Sequence, residues 1–302
     1  MAHSSGAKSQ VAFIAEVTWG TTPGTPTMQA IPFKTFNLKP AVDSYRSAQM
    51  APDRQIRGVT LGVTSASAEL TAEFVPEVFD GFLESVCCKA WDTNVLKIGV
   101  VDKFFTLEEW HSDVARCRTG NGMICNKFSL SYKAGMVDVS FSFAGKSYTL
   151  GTASGATSVT AIPSHSPCDS ITATITEGGT TIATVTALDF TIENALDIGK
   201  PANATSASGY AVGMAKITGK LNAYFADDAQ LVKFLAGTES ALTLTIGVAA
   251  GGIYEFDMSS IKYTGADSPV DKEGLLATSL DFEAIYNSGD ASAIKITRTP
   301  HA

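Results

Sequence analysis

Apolar and polar residues alternate along most of this chain. In the segment 61–74 the apolar side chains fall on every second position: Ala66, Ala68, Leu70, Ala72 and Phe74. The segments 137–143, 188–192 and 278–285 show the same period of two. This period is typical of strands with one buried face. No long apolar pattern of helical period alternates with these segments, so the chain is predicted to be mainly β and antiparallel.

One short helix is predicted in each half of the chain. After Pro76, apolar residues follow a helical spacing up to Val86. Residues 229–235 repeat this arrangement, and Gly237 can end that helix. Both predicted helices come directly after an alternating strand, at 61–74 and at 214–225.

These two strand–helix segments also resemble each other in sequence. Residues 69–83 (ELTAEFVPEVFDGFL) align with residues 220–235 (KLNAYFADDAQLVKFL), and Leu70 and Leu221 are 221 − 70 = 151 positions apart, half of 302. A repeat at half the chain length indicates two copies of one domain. The aligned residues predicted to form equivalent cores are Leu70, Phe74, Phe82, Leu221, Phe225 and Phe234.

The repeat suggests a division of the chain into domains. Residues 11–150 are predicted to form the first copy and residues 169–287 the second, each a β-sandwich or barrel with one flanking helix. The Gly-, Ser- and Thr-rich stretch 151–168 is the candidate linker. Residues 1–10 are expected to be a flexible arm and residues 288–302 a C-terminal tail.

Two long polar segments, 40–60 and 197–211, are predicted to be loops. Long loops within compact domains are usually functional or disordered. The first segment carries five charged residues within this polar stretch: Asp43, Arg46, Asp53, Arg54 and Arg57.

Charge and cysteine content narrow the possible functions. The net charge is −8, from 22 basic and 30 acidic residues, which argues against a protein that wraps nucleic acid. The cysteine count of five is odd, and no two cysteines have the spacing of a metal knuckle. Reduced thiols fit a reducing compartment such as a bacterial cytoplasm. Residues 1–10 lack the apolar core of a signal peptide, and no stretch is long and apolar enough to span a membrane.

Candidate catalytic groups are few. The four histidines are dispersed, and the carboxylate pairs Glu108–Glu109 and Asp227–Asp228 are neighbours in sequence. Side chains of adjacent strand residues point apart, and Asp227–Asp228 are placed to cap the second helix. The segment 145–147 (GKS) lacks the earlier glycine of a phosphate-binding loop. We therefore predict no catalytic site, no cofactor and no metal, and a protein that is not an enzyme.

Several motifs, in order along the chain, resemble the major tail tube proteins of bacteriophages with long, non-contractile (siphovirus-type) tails. The resemblance covers roughly residues 10–287. It rests on residues 16–24 (EVTWGTTPG), 55–58 (QIRG), 69–83, 105–108 (FTLE), 117–120 (CRTG), 128–131 (FSLS) and 219–228 (GKLNAYFADD).

The resemblance implies a structural virion protein in the phage tail, made in the host bacterial cytoplasm. Family members form stacked rings of six domains around a lumen, and a long loop of each subunit reaches the next ring. Two domains per chain would give a trimeric ring with pseudo-sixfold symmetry, and a hexamer with one domain outside is the competing arrangement. The implied partners are further copies of the chain, the tape measure protein, the tail terminator and distal tail proteins, and DNA in transient, non-specific passage during ejection.

Under this resemblance, 40–60 and 197–211 are the candidate inter-ring loops, and the inter-ring candidate residues are Asp43, Arg46, Asp53, Arg54 and Arg57. The resemblance also suggests that an acidic lumen would let DNA pass without binding it. A second hypothesis is a tandem β-sandwich binding or adhesion module on a virion or cell surface. It predicts an exposed aromatic platform and usually a secretion signal. A third, an enzyme with an unrecognised site, is disfavoured by the scarcity of histidine and convergent acids.

Overall fold

The computed structural model describes residues 3–225, 228–248, 251–269 and 273–301. The protein is mainly β, as predicted, with one short helix in each half of the chain. The helices are α1 (Asp80–Cys87) and α2 (Ala229–Ala236), and Gly6–Lys8 form one 3-10 turn. The strands are β1 (Ser9–Glu16), β2 (Thr27–Ala30), β3 (Thr35–Arg46), β4 (Val59–Glu73), β5 (Val95–Lys97), β6 (Phe104–His111), β7 (Arg116–Lys133), β8 (Asp138–Gly145), β9 (Ser147–Gly151), β10 (Ser158–Thr160), β11 (Thr174–Glu177), β12 (Thr180–Thr181), β13 (Val185–Glu193), β14 (Asp197–Gly199), β15 (Gly209–Ala211), β16 (Lys216–Tyr224), β17 (Ser240–Val248), β18 (Gly252–Asp267), β19 (Ala277–Ala284) and β20 (Lys295–Thr299).

One antiparallel sheet of eight strands runs through both halves. Its order is β3-β4-β8-β7-β13-β16-β19-β18. The first four strands come from the first half of the chain and the last four from the second half. The two groups meet where β7 pairs with β13, from Lys127 opposite Glu193 to Lys133 opposite Ala187. Both halves therefore contribute side by side to a single layer.

A second layer covers the apolar face of this sheet. In the first half it contains β10, β2, β1, β6 and β9, together with the N-terminal part of β7. In the second half it contains β12, β11, β17 and β20, with the N-terminal part of β18, and β5 of the first half extends it by pairing with β20. Strands β7 and β18 are long enough to belong to both layers, which gives each half the form of a sandwich.

The strand pairings of the two halves follow the same order. Strand β7 pairs with β6, β8 and β9, and β18 pairs with β17, β19 and β20. Two irregularities also recur at matching places. The β7–β8 and β18–β19 pairs have β-bulges at Asn126 and Thr264, and the β6–β7 and β17–β18 pairs shift register next to Thr106 and Ala241. Bulges fix register, so matching bulges mark equivalent positions.

The core lies between the two layers and continues across both halves. Phe128 on β7 contacts Phe190 on β13, with ring centroids 5.9 Å apart, and Phe190 lies 5.4 Å from Phe256 on β18. Phe74, just after β4, stacks edge-on against Tyr254 at 5.0 Å. Because aromatic side chains of both halves interlock, the two halves share one hydrophobic core.

The predicted repeat core is only partly correct. Leu70, Phe74, Phe82 and Leu221 are buried, as expected. The prediction for Phe225 is wrong, since 42% of its surface is exposed. Phe234 is only partly buried, at the edge of the core. Helix α1 sits inside the core, whereas none of the residues of α2 is buried.

The residues at the ends of α2 agree only in part with the caps predicted from the sequence. Gly237 adopts a left-handed conformation, with φ of 62°, and ends α2 as predicted. Asp228 occupies the N-cap position of α2 but its side chain makes no capping hydrogen bond there, and Asp227 lies outside the described residues. Neither helix in the described part of the chain has the length and apolar character needed to cross a bilayer.

Several predicted loops contain ordered structure instead. Strand β1 begins at Ser9, inside the predicted arm, and β10 lies in the predicted linker, where it pairs in parallel with β2. Strand β20 lies in the predicted tail, and its Ile296 is fully buried. Residues 120–122 (GNG) have a composition typical of a turn, but β7 runs through them and the β6–β7 turn is at 112–115. Short strands whose partners are distant in sequence carry little local signal.

Candidate assembly surfaces

The eight-stranded sheet has a polar face opposite the core. Along each strand, the residues between the buried apolar ones point to this face, and many are Ser or Thr. At the junction of the two halves, the Ser129 and Thr191 hydroxyls are hydrogen-bonded at 2.9 Å. The face is uninterrupted across the junction because β7 and β13 are directly paired.

Several charged residues on the polar face have a neighbour of opposite sign. Lys34 Nζ lies 2.5 Å from Asp138 Oδ1, and Lys220 Nζ lies 3.8 Å from Asp281 Oδ1. Further opposite charges face each other across neighbouring strands: Lys127 and Glu193, Glu193 and Lys216, Asp189 and Lys220, and Lys262 and Glu283. The net charge of −8 is therefore not concentrated on this face as a simple acidic surface.

The two ends of the sheet are open edges. Among the described strands, β3 pairs with β4 alone. At the other end, the C-terminal part of β18 pairs with β19 but with no other described strand beyond Ile261. Open edges offer unpaired backbone N–H and C=O groups to another strand. Lys39 and Pro40 lie on the β3 edge, and this combination is common on strands that must avoid indiscriminate pairing.

Strands β3 and β4 extend beyond the sheet as a hairpin, which we call the arm (residues 42–61). The predicted loop 40–60 is wrong in extent, since β3 continues to Arg46 and β4 starts at Val59. The arm exposes large apolar side chains: Val42, Tyr45, Met50, Ile56, Val59 and Leu61. An exposed apolar patch of this kind marks an interaction surface.

The predicted loop residues all lie on the arm. Asp43 and Arg46 are on β3, and Asp53, Arg54 and Arg57 are in the connection at its tip. Arg57 Nη2 lies 2.7 Å from Asp53 Oδ2, an ion pair that tightens the tip. The sequence located these charges, but the apolar side chains around them were missed because alternation continues only faintly into a polar segment.

The second predicted loop packs against the base of the arm. It contains the small hairpin of β14 and β15, so the prediction of a loop is only partly correct. Lys200 Nζ is 3.0 Å from Asp43 Oδ1, and the Thr64 N–H donates to the Thr205 carbonyl at 3.0 Å. The two segments that were predicted independently are thus neighbours, and the second supports the first.

The chemically reactive residue types have structural partners. Glu108 accepts hydrogen bonds from the Ser154 hydroxyl and the Gly155 N–H, while Glu109 faces Arg118 and His111. As predicted, the two carboxylates point apart.

All five cysteines are buried and unpaired, and burial raises the pKa of Cys168 to about 12. Among the residues described, no three His, Cys, Asp or Glu side chains come together to hold a metal ion.

A comparison with protein families matches residues 6–284 to the model of the phage tail tube protein family. The chain belongs to this family. A comparison with curated proteins found no match. As a phage tail tube protein, it is a structural component of the virion tail that assembles with itself and other tail proteins. The match begins within the predicted N-terminal segment 1–10 and crosses the predicted linker 151–168, in keeping with the ordered strands found in both.

Proposed function

We propose that three copies of this tail tube protein form a ring, that rings stack into the tube of a siphovirus-type tail, and that DNA passes through its lumen on ejection. The observation that carries the proposal is the eight-stranded sheet with an open edge at each end. Pairing the β3 edge of one copy with the β18 edge of the next would satisfy both edges and close a ring.

We also propose that the chain is a duplicated tail-tube domain. Matching strand pairs and matching bulges in the two halves support this. Both halves lie in one layer, which favours two domains side by side around the lumen over one domain placed outside the other. Three chains of two domains then give pseudo-sixfold symmetry, and a hexamer remains the competing outcome. The shared core makes the proposed boundaries, 11–150 and 169–287, a division by sequence rather than into separable bodies.

The polar face of the sheet is the proposed lumen surface. Its carboxylates repel phosphate, and Lys34 and Lys220 stand beside carboxylates that neutralise them. DNA would find few unpaired cations to bind, so it could slide. We therefore propose a lumen of paired opposite charges instead of a uniformly acidic one. DNA would bind such a surface weakly, and the binding would depend little on salt.

The arm is the proposed contact between rings. It extends the sheet at one end, and its exposed apolar side chains would be covered by a subunit of the next ring. The residues Asp43, Arg46, Asp53, Arg54 and Arg57 would then lie in or beside this contact. The tape measure protein, the tail terminator and distal tail proteins are the proposed partners inside and at the ends of the tube.

Electron microscopy tests the proposal directly. Concentrated protein, or tails isolated from virions, is expected to show stacked rings with three chains in each. Replacing residues 47–58 with an Asn-Gly turn should leave single rings but prevent stacking, because the hairpin closes without its tip. A protein that stays monomeric at high concentration and is missing from tails would contradict the proposed function. Six chains in each ring would contradict the trimer alone.

A further inference from the structure

The junction between the two halves shows how a sheet edge of this protein pairs with another. Strand β7 offers the open edge of the first four strands, and β13 offers that of the second four. Seven residues of β13, from Ala187 to Glu193, face β7 without a register shift. At its centre Leu130 faces Phe190 on the core side, and Ser129 faces Thr191 on the polar side.

The free edge of β18 corresponds to β7 position by position. The bulges at Asn126 and Thr264 occupy the same place relative to β8 and β19. Counting three residues onward from each bulge places Asp267 where β7 has Ser129. Both Asp267 and Ser129 face the polar side of the sheet, since each directly follows an apolar residue packed on the core, Ala266 and Phe128.

The free edge of β3 corresponds to β13 in the same way. Phe190 lies opposite Gly219 of β16, and Leu38 lies opposite Ala68 of β4. Gly219 and Ala68 are 219 − 68 = 151 positions apart, the offset of the sequence repeat. Lys39 therefore takes the position of Thr191, and both follow a buried apolar residue.

We infer that β18 of one chain pairs antiparallel with β3 of the next chain in the register of the β7–β13 junction, with Asp267 opposite the Lys39 of its neighbour. This inference rests on the proposed ring and specifies its subunit contact. The charges are complementary: the acidic residue stands on one edge and the basic residue on the other. Two β3 edges would instead bring together like charges, so the pair favours head-to-tail closure over a two-fold dimer.

Backbone geometry agrees with this register. The Phe74 N–H donates to the Val137 carbonyl. Even-numbered residues of β4 therefore turn their backbone N–H and C=O groups towards β8, and odd-numbered residues turn theirs towards β3. It follows that Pro40 turns its nitrogen to the open edge, opposite Ala266 in the inferred pair. Pro40 has no N–H to give, but the Ala266 N–H can donate to the Pro40 carbonyl, so a single hydrogen bond of the ladder is lost.

Asp267 and Lys39 form a non-hydrogen-bonded pair in this register, and such pairs have Cα atoms about 4.5 Å apart. That separation lies within the range of a disulfide, roughly 4.4–6.8 Å. The test combines Lys39→Cys with Asp267→Cys and oxidises the assembled protein with diamide. The native thiols should not interfere, because all five are buried. We expect a disulfide-linked ladder on a non-reducing gel that ends at three chains.

The matched control moves one cysteine by two residues on the same face of β3. Asn37→Cys with Asp267→Cys should form little product, because diagonal neighbours are about 7–8 Å apart. Each single-cysteine variant should give none. As a second test, Lys39→Glu should weaken ring formation roughly three- to tenfold at low salt, and adding Asp267→Lys should restore it.

The outcomes separate this inference from the proposed function. Rings seen by microscopy together with the 39–267 disulfide support both. Rings in which the 37–267 pair cross-links instead, or in which neither pair does, overturn the register and leave the ring standing. If the protein forms no rings and no cross-link, both proposals are overturned.

Discussion

Helices α1 and α2 occupy equivalent places in the two halves but are held by different chemistry. Around α1, three aromatic rings meet: Phe82 on the helix lies 4.7 Å from Phe13 on β1 and 5.1 Å from Phe105 on β6. All of α1 from Phe82 to Cys87 except Glu84 is buried. This helix is part of the hydrophobic core.

Around α2 the equivalent strand positions are polar. In the first half, Phe13 of β1 lies opposite Leu107 of β6. In the second half, Glu177 of β11 lies opposite Leu242 of β17. Leu107 and Leu242 are equivalent, since each directly follows the register shift of its strand pair, so Glu177 takes the place of Phe13. By the same match, Ser240 replaces Phe105. Glu177 Oε1 accepts hydrogen bonds from Lys233 of α2 at 2.8 Å, from Tyr263 at 2.8 Å and from Ser240 at 3.0 Å.

This comparison shows that one strand topology can anchor its helix with either aromatic packing or a buried carboxylate. The two solutions differ in strength. Packing removes apolar surface from water, whereas the carboxylate must first lose its own hydration before its hydrogen bonds stabilise the fold. Helix α2 also leaves Leu231, Val232 and Leu235 exposed. We therefore expect α2 to detach from the fold more easily than α1.

The largest change in stability is expected from a substitution that disrupts the packing of α1. Leu83 is fully buried and aligns in sequence with Leu235, which is 75% exposed. Leu83→Ala should lower the free energy of unfolding by about 2–5 kcal/mol, because it leaves a cavity. Leu235→Ala should change it by less than about 0.5 kcal/mol. Chemical denaturation of unassembled subunits measures both, and equal losses would contradict the comparison.

An intermediate effect is expected at the carboxylate of the second half. Burial raises the pKa of Glu177, but hydrogen bonds from Lys233, Tyr263 and Ser240 outweigh it and hold the pKa below its usual value of 4.5. Glu177→Gln should cost about 1.5–3 kcal/mol at neutral pH, since it weakens charge-assisted hydrogen bonds.

The same substitution predicts a pH dependence. Because the folded-state pKa of Glu177 is lowered, its stabilisation is fully present above the unfolded value and is lost as the pH falls through the folded-state pKa. The difference in unfolding free energy between the native protein and Glu177→Gln should therefore shrink below about pH 4.5. Denaturation curves from pH 7 to pH 3 test this, and a constant difference would rule out the carboxylate as the anchor.

The smallest expected effect concerns the residues that end the two helices. Both are left-handed: Cys88 after α1, with φ of 49°, and Gly237 after α2, with φ of 62°. Apart from its chain neighbours, no atom of the described residues lies within 4 Å of the place where a Cβ of residue 237 would be. Gly237→Ala should therefore cost about 1 kcal/mol from backbone strain alone, and Gly237→Asn less. Thermal unfolding compares the two; a larger loss for Asn would contradict the conformational explanation.

Much of the fold was predictable where signals were local. The alternation at 61–74 and 137–143 located β4 and β8, and the helical spacing after Pro76 located α1 to within a few residues. Strand β20 was missed because its partners, β5 and β18, are distant in sequence and its five residues alternate only briefly. The charged residues of the arm were found, but the open edges were not, since nothing local shows that a strand lacks a neighbour.

The sequence by itself determined the class of fold, the two helices, the resemblance between the halves and the family. These follow from residue periodicity and motif order, which are properties of short segments. Only the tertiary structure decided that Phe82 is fully buried while Phe234 is only partly buried, because burial depends on what a distant strand presents: Phe13 in one half and Glu177 in the other. It also decided that β7 meets β13, so that two similar halves form one sheet with one core and two free edges.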